Sequence, residues 1–308
     1  MARRLRVIEE SLQGLTSSAS MHAPCSIDKQ QLTDVMSMCR YICFPEYSEI
    51  SQPSSVLNKI IIILVEQLAS GFSLRDTYTR ARLDTSNMNN AQLFRVAPPQ
   101  EREVLFRVEA ERIAEEFVRC RLAKVKVLLH TDVEALYHHD VAAESKCEIV
   151  LTYPGITCML HQRVAHELYL LGAPNNVTRM LTEMAHSITG VDIHPHTSIG
   201  HHFFIDHGTG VVIGATAVIG NHVCIYQGVT LGARSFPLDP VTGAPMKNLP
   251  RHPIIEDGVI IYSNAVVLGR IVIGAGAVIA GNAFVTKAVP KGAVVAGAGN
   301  VIVKDSKA

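Results

Sequence analysis

An aliphatic residue recurs every six positions through the last third of this 308-residue chain, and no other feature limits its fold as strongly. The anchors are Ile193, Ile199 and Ile205, then Ile213, Ile219, Ile225 and Leu231. After a gap they continue at Ile255, Ile261, Val267, Ile273, Ile279 and Val285. Gly200, Gly214, Gly220 and Gly274 directly follow an anchor, and small or β-branched residues such as Ala217, Val223, Ala265 and Ala277 stand four places after one. A hexapeptide period belongs to a parallel β-helix. Each hexad supplies one short strand and one corner, and three of them close a triangular coil of about 18 residues. The anchor points into the prism and stacks on the anchors of neighbouring coils. An antiparallel sandwich would show two-residue alternation and hairpin turns instead.

The period breaks twice. In "FFIDHGTGVVIG", residues 203–214, the spacing from Ile205 to Ile213 is eight, and the two extra residues fall beside Asp206 and His207. They are expected to bulge a corner outward and lift His207 off the prism wall. The second break, residues 233–254, is rich in Pro and carries no anchors, so it reads as a loop extruded from one corner. Long loops on a compact scaffold are commonly functional, often as lids.

Residues 1–190 follow a different pattern. "EREVLFRVEAERIAEEFVRCRLAKVKVLLHTDVEAL" has apolar residues three and four apart and neither Pro nor Gly, which predicts a helix. A second helix is predicted between Pro154 and Gly172, and a third ends at Gly190. The expected fold is therefore α+β: an N-terminal helical domain over 1–190, then a left-handed parallel β-helix over 191–303 with an extruded loop at 233–254, then a short tail at 304–308. The helical domain is expected to serve oligomerisation and to contribute part of the substrate site.

Lys and Arg number 28 and so do Asp and Glu, which removes any general electrostatic reason to expect nucleic acid or an anionic membrane as partner. The apolar run "IIIILVEQLAS" meets a Glu after six residues and reads as too short to span a bilayer. The N-terminus is basic without an apolar core, unlike a secretory signal. Seven scattered cysteines read as reduced, mostly buried thiols of a cytoplasmic protein.

Five His and two Asp fall between residues 191 and 210. Asp192 lies about one coil before His207, and stacked coils are about 4.8 Å apart. A carboxylate at that distance is expected to reach the imidazole and orient it, as suits a general base acting on a substrate hydroxyl. A metal reading stands beside this one. His194, His196, His202 and His207 could supply ligands, as three histidines do in the γ-class carbonic anhydrases, which are also β-helical. Arg251 and His252 stand where the chain re-enters the prism, and a guanidinium there can clamp a carboxylate.

The order of Asp192–Pro195 (DIHP), Ile205–Gly210 (IDHGTG), the run ending in VTLG at Gly232, a loop, and Arg251-His252-Pro253 resembles serine O-acetyltransferase, a hexapeptide-repeat acyltransferase family. "DVEALYHHDVAA" at 132–143 and "HQRVAHELYLLG" at 161–172 resemble its helical segments, with Asp140-Val141-Ala142 standing where the family has Asp-Pro-Ala. The resemblance implies transfer of an acetyl group from acetyl-CoA to the L-serine hydroxyl, the first step of cysteine biosynthesis, with no metal. It implies His207 as base with Asp192 orienting it, Asp140 and Asp206 holding the substrate ammonium, and Arg251 with His252 holding the carboxylate. Acetyl-CoA would lie between neighbouring subunits near Gly232, Ala233, Ser263 and Gly281. L-Cysteine would inhibit by competing with serine. A homo-oligomer, a trimer or a dimer of trimers, is expected. The family often ends in a terminal Ile that docks into O-acetylserine sulfhydrylase, and this chain ends in Ala308, so a stable complex through that terminus is not expected.

Overall fold

The structure, a computed structural model, describes residues 26–47, 52–80, 99–247, 249–296 and 300–302. The expected tail at 304–308, Ala308 and Cys25 lie outside them. Helices come first: α1 (Lys29–Cys43), α2 (Pro53–Arg80), α3 (Pro99–Glu116), α4 (Leu122–His139), α5 (Lys146–Thr152), α6 (Pro154–Leu170) and α7 (Asn175–Thr189). A π-helical turn over Phe117–Arg121 joins α3 to α4, so the one predicted helix is continuous but locally widened. Pro154 is the first residue of α6, where its missing N–H costs nothing. Gly190 ends α7 with φ of 72°, a conformation a side chain would strain.

The apolar run at 60–65 belongs to a longer helix than the sequence suggested. Its stretch Pro53–Leu74 is long and apolar enough to cross a membrane by length and composition alone. In the fold it packs against α1, α3 and α7 and buries Ile60, Leu64 and Leu68. Gly71 sits so close to α7 that a Cβ would lie 2.6 Å from Val177.

From Asp192 the chain winds through short strands that pair in parallel. The first sheet stacks β1 (Asp192–Ile193), β4 (Val212–Ile213), β7 (Thr230–Gly232), β10 (Val266–Leu268) and β13 (Phe284–Val285). The second stacks β2 (Ser198–Ile199), β5 (Val218–Ile219), β8 (Ile254–Ile255) and β11 (Val272–Ile273). The third stacks β3 (Phe204–Ile205), β6 (Cys224–Ile225), β9 (Ile260–Ile261), β12 (Val278–Ile279) and β14 (Val294–Ala296), and β15 (Asn300–Ile302) turns back antiparallel on β14. This is the left-handed β-helix that the hexads implied, and every one of the anchors is buried.

Strand register shows what the two breaks do. Ile193, Ile199 and Ile205 pair with Ile213, Ile219 and Ile225, each 20 residues on, whereas Ile213 pairs with Leu231, 18 on. The lowest coil thus carries two extra residues, confined to the corner between the third and first sheets. The loop adds 18 residues between Leu231 and Ile255 without disturbing the pairing of Ile219 with Ile255. It folds into a small hairpin, with Leu238 bridging Pro245 and Asp239 accepting from the N–H groups of Val241 and Thr242.

The helical half is fastened to the lowest coil by a buried ion pair. Arg163 on α6 donates to both oxygens of Asp132 on α4, at 2.7 and 2.8 Å, and its remaining N–H groups reach the carbonyls of Ile199 and Gly200. Asp132 also accepts from the N–H of Phe203 at 3.0 Å. The six described cysteines are free thiols, four of them buried.

Candidate active site

The candidate residues fall on two corners of the prism. Asp206 and His207 lie on the corner that leads from the third sheet to the first, and Arg251 and His252 lie on the corner that leads from the first to the second.

At the first corner the two extra residues are absorbed by left-handed backbone. His207, Gly208 and Gly210 have φ of 54°, 75° and 78°. His207 is thereby turned outward, with 70% of its side chain exposed, while Asp206 beside it is 18% exposed. Nε2 of His207 stands 3.5 Å from Asp206 Oδ2. The helical half completes the corner. The start of α6 presses on β3 so closely that a Cβ on Gly155 would lie 2.6 Å from the carbonyl oxygen of Ile205. That seating brings Tyr153 to Asp140, the residue that caps the end of α4. The Tyr153 hydroxyl donates to Asp140 Oδ2 at 2.6 Å, and the Ala142 N–H donates to Oδ1 at 2.8 Å. Val141 therefore keeps the Asp-anchored turn even where Pro is absent. The hydroxyl, the amide and the nearby His207 hold the Asp140 carboxyl below the usual range. An imidazole and two carboxylates thus meet at one exposed point.

Asp192 is placed differently from the expectation. Its carboxylate accepts from Arg179 on α7 at 3.0 Å, a guanidinium it shares with Glu183, and the acid next to His207 is Asp206. The longer arm on α7 reaches Asp192, and no hydrogen bond links Asp192 to His207 among the described residues.

At the second corner Thr216 organises the turn. Its hydroxyl accepts from the N–H groups of Arg251 and His252 at 2.9 and 3.1 Å and lies 2.8 Å from His252 Nδ1. The Thr216 N–H donates to the same nitrogen. Nδ1 is therefore the acceptor, and the ring proton sits on Nε2. Burial and the neighbouring cations Arg251 and Arg270 hold the His252 pKa down at about 4, so this ring is neutral near pH 7. Arg251 lies over Phe236 of the loop, 5.9 Å from the ring centre, and its Nε is buried without a hydrogen-bond partner. An unpartnered buried guanidinium N–H fits an acceptor brought by a ligand. Phe236, Pro245, Met246 and Lys247 of the loop wall a cleft of about 760 Å³ over Arg251, His194 and His196. Thr216 and Arg270 carried no sequence signal that set them apart from other corner residues.

Gly214 lets this corner close, because a Cβ there would sit inside the His252 ring. Gly214→Ala is expected to push His252 out and lower kcat/KM on the order of 10²-fold, with the fold intact by circular dichroism. Steady-state kinetics on both substrates measure it, and unaltered kinetics would show that His252 has no positioning role.

The four residues expected to contact the acyl donor divide in the same way. Ser263 and Gly281 lie above His207 on its corner, where the Asn282 N–H donates to the Ser263 carbonyl at 2.9 Å, and Gly232 and Ala233 lie at the end of β7, toward the other corner. The four histidines of the metal reading are not brought together within one chain. His194 and His196 share one corner, His202 lies on a second and His207 on the third.

Residues 252–287 match the bacterial transferase hexapeptide family (six repeats). Over 192 residues the chain is 50% identical to a plasmid-encoded serine acetyltransferase of Synechococcus elongatus, covering 62% of this chain and 59% of that protein. It is 42% identical to the serine acetyltransferase of Bacillus licheniformis over 53% of this chain and 70% of that one. Serine acetyltransferase 1 of Entamoeba histolytica, crystallised in complex with L-cysteine, superposes with a TM-score of 0.65 at 31% identity, covering 85% of this chain and 86% of that one. The coil and these relatives agree: the chain belongs to the serine acetyltransferase family of acyltransferases.

Proposed function

We propose that this protein transfers the acetyl group of acetyl-CoA to the hydroxyl of L-serine, giving O-acetylserine and CoA, the step that opens cysteine biosynthesis. The observation that carries the reading is the exposed His207 set between Asp206 and Asp140. His207 takes the hydroxyl proton as the serine oxygen attacks the thioester carbonyl carbon. The tetrahedral intermediate collapses, the carbon–sulfur bond breaks, and the proton returns from His207 to the departing thiolate. Asp140 and Asp206 hold the ammonium, and Arg251, with neutral His252 beside it, takes the carboxylate through its free Nε.

A zwitterion a few ångströms long needs both charge sets at once, yet they occupy different corners of one prism. The reading is therefore of a homo-oligomer, a trimer or a dimer of trimers, in which the His207 corner of one copy faces the Arg251 corner of the next. Acetyl-CoA then lies between copies, against Ser263 and Gly281 of one and Gly232 and Ala233 of the other. L-Cysteine, with sulfur in place of the serine oxygen, fits the same frame and is expected to compete with serine; the cysteine complex of the Entamoeba relative supports this. We place the enzyme in the cytoplasm, without a metal in catalysis.

A thiol-release assay with acetyl-CoA and a panel of amino acids tests the function. Serine is expected to be the preferred acceptor, with L-cysteine raising the apparent KM for serine and leaving kcat unchanged. Thiol release with no acceptor preference would overturn the reading.

A further inference from the structure

The third corner of the prism, between the second and third sheets, has no part in the proposed chemistry, yet it gathers three histidines. We propose that His201, His202 and His222 form a binding site for one divalent ion of the zinc class. One nitrogen from each ring can be chosen so that all three lie within 4.8 Å of one another. Ring centres are 4.9 Å apart for His201 and His202, 5.1 Å for His201 and His222, and 4.4 Å for His202 and His222. Nδ1 of His201 and Nδ1 of His202 are 2.7 Å apart, so one ring donates and the other accepts.

The backbone marks this arrangement as unusual for the scaffold. His202 and His222 occupy left-handed backbone, with φ of 54° and 56°. The same corner position in the coils above is filled by Gly258, Gly276 and Gly292, with φ between 67° and 69°. Glycine is the unstrained residue there. Two successive coils hold histidine in that slot, which stacks the two rings in register. The His222 N–H donates to the His201 carbonyl, and the Asn221 side chain accepts from the His201 N–H. The frame carrying the three rings is thus hydrogen-bonded within itself.

Ligand chemistry selects the ion. Three imidazoles and no oxygen donor suit zinc, cobalt or nickel and do not suit calcium or magnesium. Tetrahedral coordination with metal–nitrogen bonds of about 2.0–2.1 Å sets the nitrogens roughly 3.4 Å apart. The present separations reach that by small ring rotations, and the rings are free to make them, being half-buried or exposed. Glu134 on α4 acts electrostatically on His202 and supplies negative charge just outside the ligands, as outer carboxylates do at metal sites. The fourth position opens to water. The site would tie the two lowest coils together beside the helical half, where the His202 N–H meets the Thr131 hydroxyl at 3.0 Å.

Chelator-treated full-length protein titrated with Zn(II), followed by equilibrium dialysis and thermal unfolding, tests the proposal. One ion per chain and a raised Tm are expected, and Co(II) is expected to give the visible absorption of a nitrogen-ligated ion. His222→Gly should weaken binding about tenfold or more while keeping the metal-free Tm, since glycine fills that slot in higher coils. His201→Ala, which changes no left-handed residue, should weaken it likewise, and His207→Ala should leave it unchanged. Failure to bind, or unchanged binding in both His222→Gly and His201→Ala, overturns the proposal.

Discussion

Replacing His207 with alanine is expected to lower kcat by about 10²–10⁴-fold, equivalent to about 3–5 kcal/mol of barrier, with little change in the KM for acetyl-CoA. The range is that of general-base catalysis by a positioned side chain; another imidazole nearby, that of His139, stands edge-on to the Phe204 ring at 5.6 Å. His194, His196 and His252 belong to a different edge of the same prism, so none can take over within one chain. Single-turnover measurement of thiol release isolates the chemical step. A variant retaining near-full activity would remove His207 from the mechanism. The acid behind the base can be read in the same experiment. If Asp192 orients the imidazole during turnover, through the oxygen that Arg179 does not take, Asp192→Asn lowers kcat at unchanged KM for serine. If Asp206 alone serves, Asp192→Asn leaves kcat intact and Asp206→Asn lowers it.

The prism was legible in the sequence because its physics is local and repetitive. Each coil buries the same slot, so Ile193 and its successors declare the fold one at a time, and the single eight-residue spacing located the corner that carries His207. The helices were legible in outline, through Pro154 and Gly190, because end signals are also local. Contacts between distant segments were not. That Tyr153 would hold Asp140 depends on Gly155 letting α6 settle on Ile205, a close approach with no period to announce it. The capture of Asp192 by Arg179 rather than His207 depends on where α7 ends relative to β1, which coil spacing alone does not state. His222 was missed for a related reason. The count of histidines between 191 and 210 stopped one coil short of it, while the register of β3 with β6 stacks it on His202.

The same dependence on distant contacts makes the joint at Asp132 and Arg163 the place where stability and substrate geometry meet. Arg163→Met is expected to cost about 3–5 kcal/mol, because it strands the Asp132 carboxylate in a site where that side chain has no exposure to solvent. Denaturant unfolding measures it, and a loss below 1 kcal/mol would show that the pair is not a structural clamp. Removing both partners, as Arg163→Met with Asp132→Leu, takes away the stranded charge but not the whole defect. The Phe203 N–H and the carbonyls of Ile199 and Gly200 lose their partners, and each buried group left unpaired costs about 1–3 kcal/mol. The double variant is therefore expected to be less stable than the wild type yet no worse than the single one. The kinetic consequence follows from α4 itself. Asp132 and Asp140 are eight residues apart on it, about 12 Å along the axis, so the clamp that fixes the middle of α4 against Phe203 also fixes the distance from Asp140 to Asp206. Under conditions where the single variant is still folded, its KM for serine should rise more than its KM for acetyl-CoA, because the ammonium pocket spans the joint and the Ser263–Gly281 edge does not.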